Sequence, residues 1–228
     1  MQPKLSPETV LRTYFRAKDE NRPHLMHKVF CEEATLEMHV HTESIAFPAI
    51  SCGVAAITDV LIRQFGRTYE NIYSFYLQRP PEAATDFSCG WLVGMSEKDS
   101  GNVRVGCGRY DWQFERDLSG LAERLTITIE AMEVLPPSQL VPVLGWLEHL
   151  AYPWSSASAA IASAPAIEAL APVLRHIGSD GTYASPINRA EVLTPASQPL
   201  ARRSCQTLAT NHTDTLAITQ PHHRSPYA

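Results

Sequence analysis

The chain has 228 residues, 44% of them hydrophobic and 19% charged, with a formal net charge of −5 and a pI near 6.0. That length is enough to bury the core of one or two domains. The acidic balance argues against nucleic acid as a partner, because binding phosphates needs a concentrated positive field.

No apolar run is long enough to span a bilayer, so no membrane partner is expected. Met1-Gln2-Pro3-Lys4 leads into a helix signal and not into an apolar secretory segment, which makes the cytoplasm the expected compartment. Cys31, Cys52, Cys89, Cys107 and Cys205 are widely spaced and form no zinc or redox pattern. They read as free thiols in a reducing compartment.

Ser6-Pro7-Glu8 is a helix start, with a side-chain cap, a first-turn proline and an early acid. Val10, Leu11, Tyr14 and Phe15 give that helix one apolar stripe. Asn21-Arg22-Pro23 ends it and opens a second short helix buried through Leu25, Met26, Val29 and Phe30. From Ala34 to His41 the pattern has period two, with Leu36, Met38 and Val40 on one face and Glu37, His39 and His41 on the other.

The stretch from Phe47 to Gly53 reads as a loop leading into a third helix, Gly53–Tyr69, with Val54, Ile57, Leu61 and Phe65 inward. Strand patterns follow at Asn71–Gln78, Phe87–Met95, Val103–Phe114 and Leu125–Leu135, with Ser96–Asn102 as a hairpin loop. Strands joined by short loops favour antiparallel pairing, so the expected class is α+β. Pro136-Pro137 stops the last strand. Ser138 then caps a helix with Leu140, Leu144 and Leu147 on its apolar face.

From Ser155 onward the chain has no Phe, Trp, Met or Lys and is dominated by Ala, Ser, Pro and Thr. Few large apolar residues remain to offset the entropy of ordering. The expected organisation is therefore a folded domain at 6–135, an appended helix at 138–154, and a low-complexity, largely disordered tail at 155–228.

The order of elements, together with Val10-Leu11-Arg12-Thr13-Tyr14 and Val29-Phe30-Cys31-Glu32-Glu33-Ala34-Thr35-Leu36-Glu37, resembles the nuclear transport factor two-like superfamily. Its members include ketosteroid isomerases, SnoaL-like polyketide cyclases and scytalone dehydratases. The resemblance covers about residues 6–135. It implies a cone-shaped, curved antiparallel sheet packed on three N-terminal helices around a pocket for a small apolar molecule. It also implies frequent homodimerisation through the sheet.

In ketosteroid isomerases a first-helix tyrosine and a protonated acid hold the oxyanion, while a first-strand carboxylate takes the proton. Carried over, the tyrosine is Tyr14 and the acid position falls at Tyr110. The base position falls at Met38, which has no titratable group. Two phenols would donate to one oxygen, and phenols with a pKa near 10 abstract protons poorly.

The register of the first strand decides what else reaches the pocket, since a slip of one residue reverses every side chain. In one register Glu37, His39 and His41 face inward, Asp111 and Arg109 join them, and His39 is the base, as in scytalone dehydratase-like chemistry. In the other, Leu36, Met38 and Val40 line the pocket. Apolar faces normally turn inward, which favours the second.

The candidate catalytic residues are thus Tyr14, Tyr110 and His39, and the candidate ligand-binding residues are Met38, Phe65, Trp91 and Trp112. Two tryptophans on neighbouring strands also suit a dimer contact on an exposed sheet face. Glu37-x-His39-x-His41 reads as a solvated polar face rather than a metal site, so no metal is expected. Gly106-x-Gly108 opens no helix and reads as a sheet bend, so no cofactor is expected. The expected function is a SnoaL-like small-molecule pocket protein, acting as lyase, isomerase or cyclase on an apolar cyclic carbonyl compound. The alternative is a non-catalytic ligand-binding or dimerisation module.

Overall fold

The computed structural model describes residues 4–116 and 119–179. The first helix, α1 (Pro7–Asp19), starts as its sequence dictates: the Ser6 side chain accepts from the Thr9 backbone N–H at 3.3 Å. It buries Val10, Leu11, Tyr14, Phe15 and, less expectedly, Lys18. Pro23–Lys28 forms a short 3₁₀ helix that leads into β1 (Phe30–Val40).

The segment expected as a loop contains a short strand, β2 (Ile50–Cys52). The third helix is continuous but not uniform. It runs as α2 (Val54–Thr58), widens into π turns at Asp59–Gln64, and closes as α3 (Phe65–Thr68). The remaining strands are β3 (Tyr69–Tyr76), β4 (Asp86–Glu97), β5 (Val103–Phe114) and β6 (Ala122–Leu135).

The six strands form one curved, unclosed sheet in the order β2-β1-β6-β5-β4-β3. This is the α+β, nuclear transport factor two-like architecture that the sequence resemblance implied. One feature differs: β1 runs parallel to β6, pairing Met38 with Ile127 and Val40 with Ile129, so the sheet is mixed rather than antiparallel. Short loops dictate only how consecutive strands pair, and β1 and β6 are far apart in sequence.

The bend falls at the glycines the sequence singled out. Between Cys107 and Gly108 the β5–β6 register shifts, leaving Glu130 of β6 with no residue opposite it on β5. A Cβ on Gly108 would stand 1.9 Å from the Thr128 carbonyl oxygen, so only glycine lets the strands approach this closely. The extra residue also breaks the alternation of β6, so that Ile129 and Met132 turn to the same, inner face.

The inner face carries α1, the 3₁₀ helix and the third helix over a core that contains Tyr14, Phe15, Phe30, Tyr76, Tyr110 and Trp112. The outer face is split. Over one half, Phe75, Leu92, Val103, Val105, Cys107 and Leu135 form a second core with helices from beyond the last strand. One of these is α4 (Leu140–Glu148), which follows a 3₁₀ turn at Pro137–Gln139 rather than a Ser138 cap and buries Val143, Trp146 and Leu147.

Two more helices lie in the segment expected to be tail: α5 (Ala157–Ser163) and α6 (Ala171–Ser179). Ala160, Leu170, Val173 and Ile177 are each 0% exposed. Hydrogen bonds tie this segment in, among them Trp146 Nε1 to the Ala160 oxygen at 3.0 Å and the Cys107 thiol to the Val173 oxygen at 3.8 Å. The large apolar residues of the segment are few, but they are placed where the sheet needs cover. Residues 180–228 lie outside the described residues.

The same stretch closes the sheet's β3 edge. Tyr76 donates to Pro153 and accepts from Ser155, at 2.9 and 3.0 Å. The other half of the outer face is polar and laced with pairs: Glu37 with Arg124, Arg109 with Asp111, and His41 with Glu130. Trp91 and Trp112 are 4% and 1% exposed and face the inner core, not the outer surface on which a dimer contact was expected. Among the described residues no helix is long and apolar enough to cross a membrane.

Candidate functional site

Because β1 places Leu36 and Met38 inward, Glu37, His39 and His41 project from the outer face, and His39 is exposed. The structure therefore does not bring His39 to Tyr14, and the inward-facing register that would have made it a base does not form. The reason is the alternation itself: turning His39 inward would expose Leu36 and Met38. Asp111 and Arg109 share this fate, bonded to each other at 2.5 Å on the outer face. Among the described residues no group of three or more His, Cys, Asp or Glu is placed to hold a metal ion.

What does converge is an apolar cavity of about 50 Å³ between α1, the third helix and the inner face of the sheet. Tyr14, Tyr110, Met38, Phe65 and Trp91 all line it, five of the seven residues the sequence nominated. Val93 and Met95 of β4 and Ile127, Ile129 and Met132 of β6 complete the sheet side. Trp112 sits behind this wall, 5.2 Å from the Tyr14 ring and 5.8 Å from that of Phe30, and belongs to the core.

Ile45 and Phe47, both half-buried, join the lining from the loop after β1. Ser44 anchors that loop, donating to the Met132 oxygen at 2.6 Å, while Arg104 donates to the Ser44 oxygen at 2.5 Å. Arg104 is itself held by Glu97. Burial pushes the Glu97 carboxyl up, but hydrogen bonds from Ser100, Arg104 and Asn102 outweigh it and hold the group below the usual carboxylate range.

The polar chemistry of the cavity rests on two phenols. Their rings stand perpendicular with centroids 6.2 Å apart, and the two hydroxyls are hydrogen-bonded to each other, Tyr110 donating. Burial pushes both pKa values well above the ordinary phenol range, and the negative charge of Asp19 adds to the effect. Both groups stay protonated at any physiological pH, so they donate hydrogen bonds and do not abstract protons.

Among the lining residues that sequence reasoning did not nominate, Lys18 is the charged one. It lies one helical turn beyond Tyr14 on the same stripe, and a charge at that spacing is the signal that could have found it. Its Nζ donates to Ser74 Oγ at 2.6 Å and pairs with Asp19 Oδ1 at 2.9 Å, 5.0 Å from the Phe65 ring. Asp19 also accepts from the Ser74 backbone N–H and hydroxyl, and from the Tyr152 hydroxyl. The network ties α1 to β3 and satisfies the buried charge.

A larger hollow of about 350 Å³ lies on the other side of the sheet, between Leu77, Gly90, Ile161 and Ile177. Among the described residues its lining carries no titratable side chain.

No family model and no curated protein matches the chain. Solved structures do resemble it. A nuclear transport factor 2 (NTF2-like) superfamily protein from Salmonella enterica serovar Typhimurium is 13% identical with a TM-score of 0.44, over 54% of this chain and 88% of that one. An NTF2-like protein of unknown function from Exiguobacterium sp. 255-15 is 19% identical with a TM-score of 0.40, over 53% and 97%. A hexachlorocyclohexane dehydrochlorinase (LinA) Type2 is 11% identical with a TM-score of 0.45, over 55% and 84%. At these identities the likeness is one of fold and carries no activity across.

Proposed function

We propose that this protein is a small-molecule-binding protein whose inner cavity takes a compact, apolar carbonyl compound, with binding rather than proton transfer as its activity. The observation that carries this reading is the composition of the wall. The Tyr14 hydroxyl, itself accepting from Tyr110, offers a hydrogen bond to an oxygen atom, and among the described lining residues there is no carboxylate and no imidazole to act as a base. Lys18, the charged residue among the described lining, pairs with Asp19 and donates to Ser74.

The hollow of about 50 Å³ is smaller than a six-membered ring, so a ring ligand would enter only as flexible wall residues such as Met38 and Met132 move aside, with the rest of it passing between Ile45 and Phe47. Should two copies also pair through the sheet, the polar half of its outer face is what remains for the contact. Its Glu37–Arg124 and Arg109–Asp111 pairs would make such an association weaken with salt.

The test is titration of the full chain with cyclohexanone, followed by saturation-transfer NMR. Binding is expected, with Tyr14→Phe weakening it by about 1 kcal/mol, roughly fivefold in Kd. Met38→Trp, which fills the cavity, should abolish it. Binding indifferent to both substitutions, or none at all, would sink the reading.

A further inference from the structure

Val93 of β4, Gly106 of β5 and Met132 of β6 stand opposite one another across three neighbouring strands. Val93 and Met132 both line the inner cavity. Gly106 lies between them on the same face, because its neighbours Val105 and Cys107 turn to the second core. With no side chain at that position, the sheet side of the cavity has a notch.

The tip of Met132 fills this notch. A Cβ on Gly106 would stand 2.4 Å from the Met132 Cε and 2.8 Å from its Sδ, well inside a normal carbon contact of about 3.5–4.0 Å. The backbone of Met132 is held, since its oxygen accepts from Ser44 at 2.6 Å. The side chain is unbranched and can swing away without moving that backbone. Met38 and Met95 line the cavity too, but neither lies over a glycine: their partners on the next strand are Ile127 and Arg104.

Resting on the cavity reading above, we propose that Met132 and Gly106 together set the size of ligand the cavity takes. A ring enters by displacing the Met132 tip, and its far carbons lie over Gly106 in the notch that the thioether vacates. The class is then a single-ring ketone, its oxygen held by Tyr14. Displacing a packed side chain costs what overpacking costs elsewhere in a core, so Met132 limits how tightly a ring is held. A short acyclic ketone has no ring carbons for the notch and leaves Met132 in place.

The experiment is titration of the full chain and its variants with cyclohexanone and with acetone, followed by saturation-transfer NMR. Met132→Ala should tighten cyclohexanone by about tenfold and leave acetone unchanged. Adding Gly106→Ala to that variant puts a methyl group back in the notch and should return most of the gain. Met95→Ala enlarges the cavity away from the notch and should change cyclohexanone binding by less than about threefold. Equal binding of cyclohexanone by the parent chain and Met132→Ala, or an equal gain from Met95→Ala, would overturn this inference and leave the cavity reading standing. Failure of both ketones to bind the parent chain and every variant would overturn both.

Discussion

The inner and outer faces of this sheet are built from the same strands, yet they bury apolar surface by different means. The inner face is filled by aromatic rings stacked on one another, such as Phe15 on Tyr76 at 3.8 Å and 3°. A small hollow remains, along with donors that no protein acceptor meets. On the outer face, one half is covered by aliphatic residues from the chain's own later helices, with a hollow left beside Ile161 and Ile177, and the other is left to water and ion pairs. Among the described lining residues the outer hollow offers Gln78 and two serines and the inner one aromatic rings with two phenols, so the face built of rings is the one suited to an apolar guest bearing an oxygen.

The outer packing is where the contrast can be broken most forcefully. A chain ending at Trp154 loses Leu170, Val173 and Ile177 from the second core. At about 1.5–3 kcal/mol for each large side chain, the loss rivals the whole stability of a typical domain. Calorimetry should find it unfolded or aggregated; a melting temperature within a few degrees of the full chain would show that the outer helices are dispensable.

Gly108→Ala acts on both faces at once, because the new methyl group meets the Thr128 carbonyl at the bend. A cost of about 3 kcal/mol or more is expected by denaturant unfolding, at the upper end of overpacking effects.

The inner face should show itself through alkali. Burial holds the pKa values of Tyr14, Tyr76 and Tyr110 above the ordinary phenol value. The folded chain therefore keeps protons that the unfolded chain releases. The stability they support is fully present below pH about 10 and is lost as pH rises from there toward the folded pKa values. Thermal midpoints should fall steeply through that range, and Tyr110→Phe should flatten the fall. The smallest effect belongs to the polar half of the outer face. Arg124→Ala removes the exposed pair with Glu37 and should cost under about 1 kcal/mol.

Much of this was legible from residue spacing. The alternation Leu36, Met38, Val40 told which face of β1 turns inward, and Tyr14 and Tyr110 do meet. The parallel pairing of β1 with β6 was not legible, because it joins residues some ninety positions apart and leaves no local pattern. The helices after Trp154 were hidden by averaging. Judged by composition the last third of the chain looks too polar to fold, yet Leu170, Val173 and Ile177 recur at helical spacing and all reach the sheet. His39 was misplaced because its chemistry, rather than its position in the alternation, attracted the assignment.

The short connection that closes the β3 edge at Pro153–Ser155 has a further consequence. It leashes α5 and α6 beside the surface they cover, so their docking is a first-order event at an effective concentration on the order of millimolar. A detached peptide spanning 155–179 would also bear the cost of forming helices too short to persist alone. Complementation in trans should therefore demand peptide at millimolar levels or above, and covalent continuity, more than contact area, is what keeps the outer helices in place.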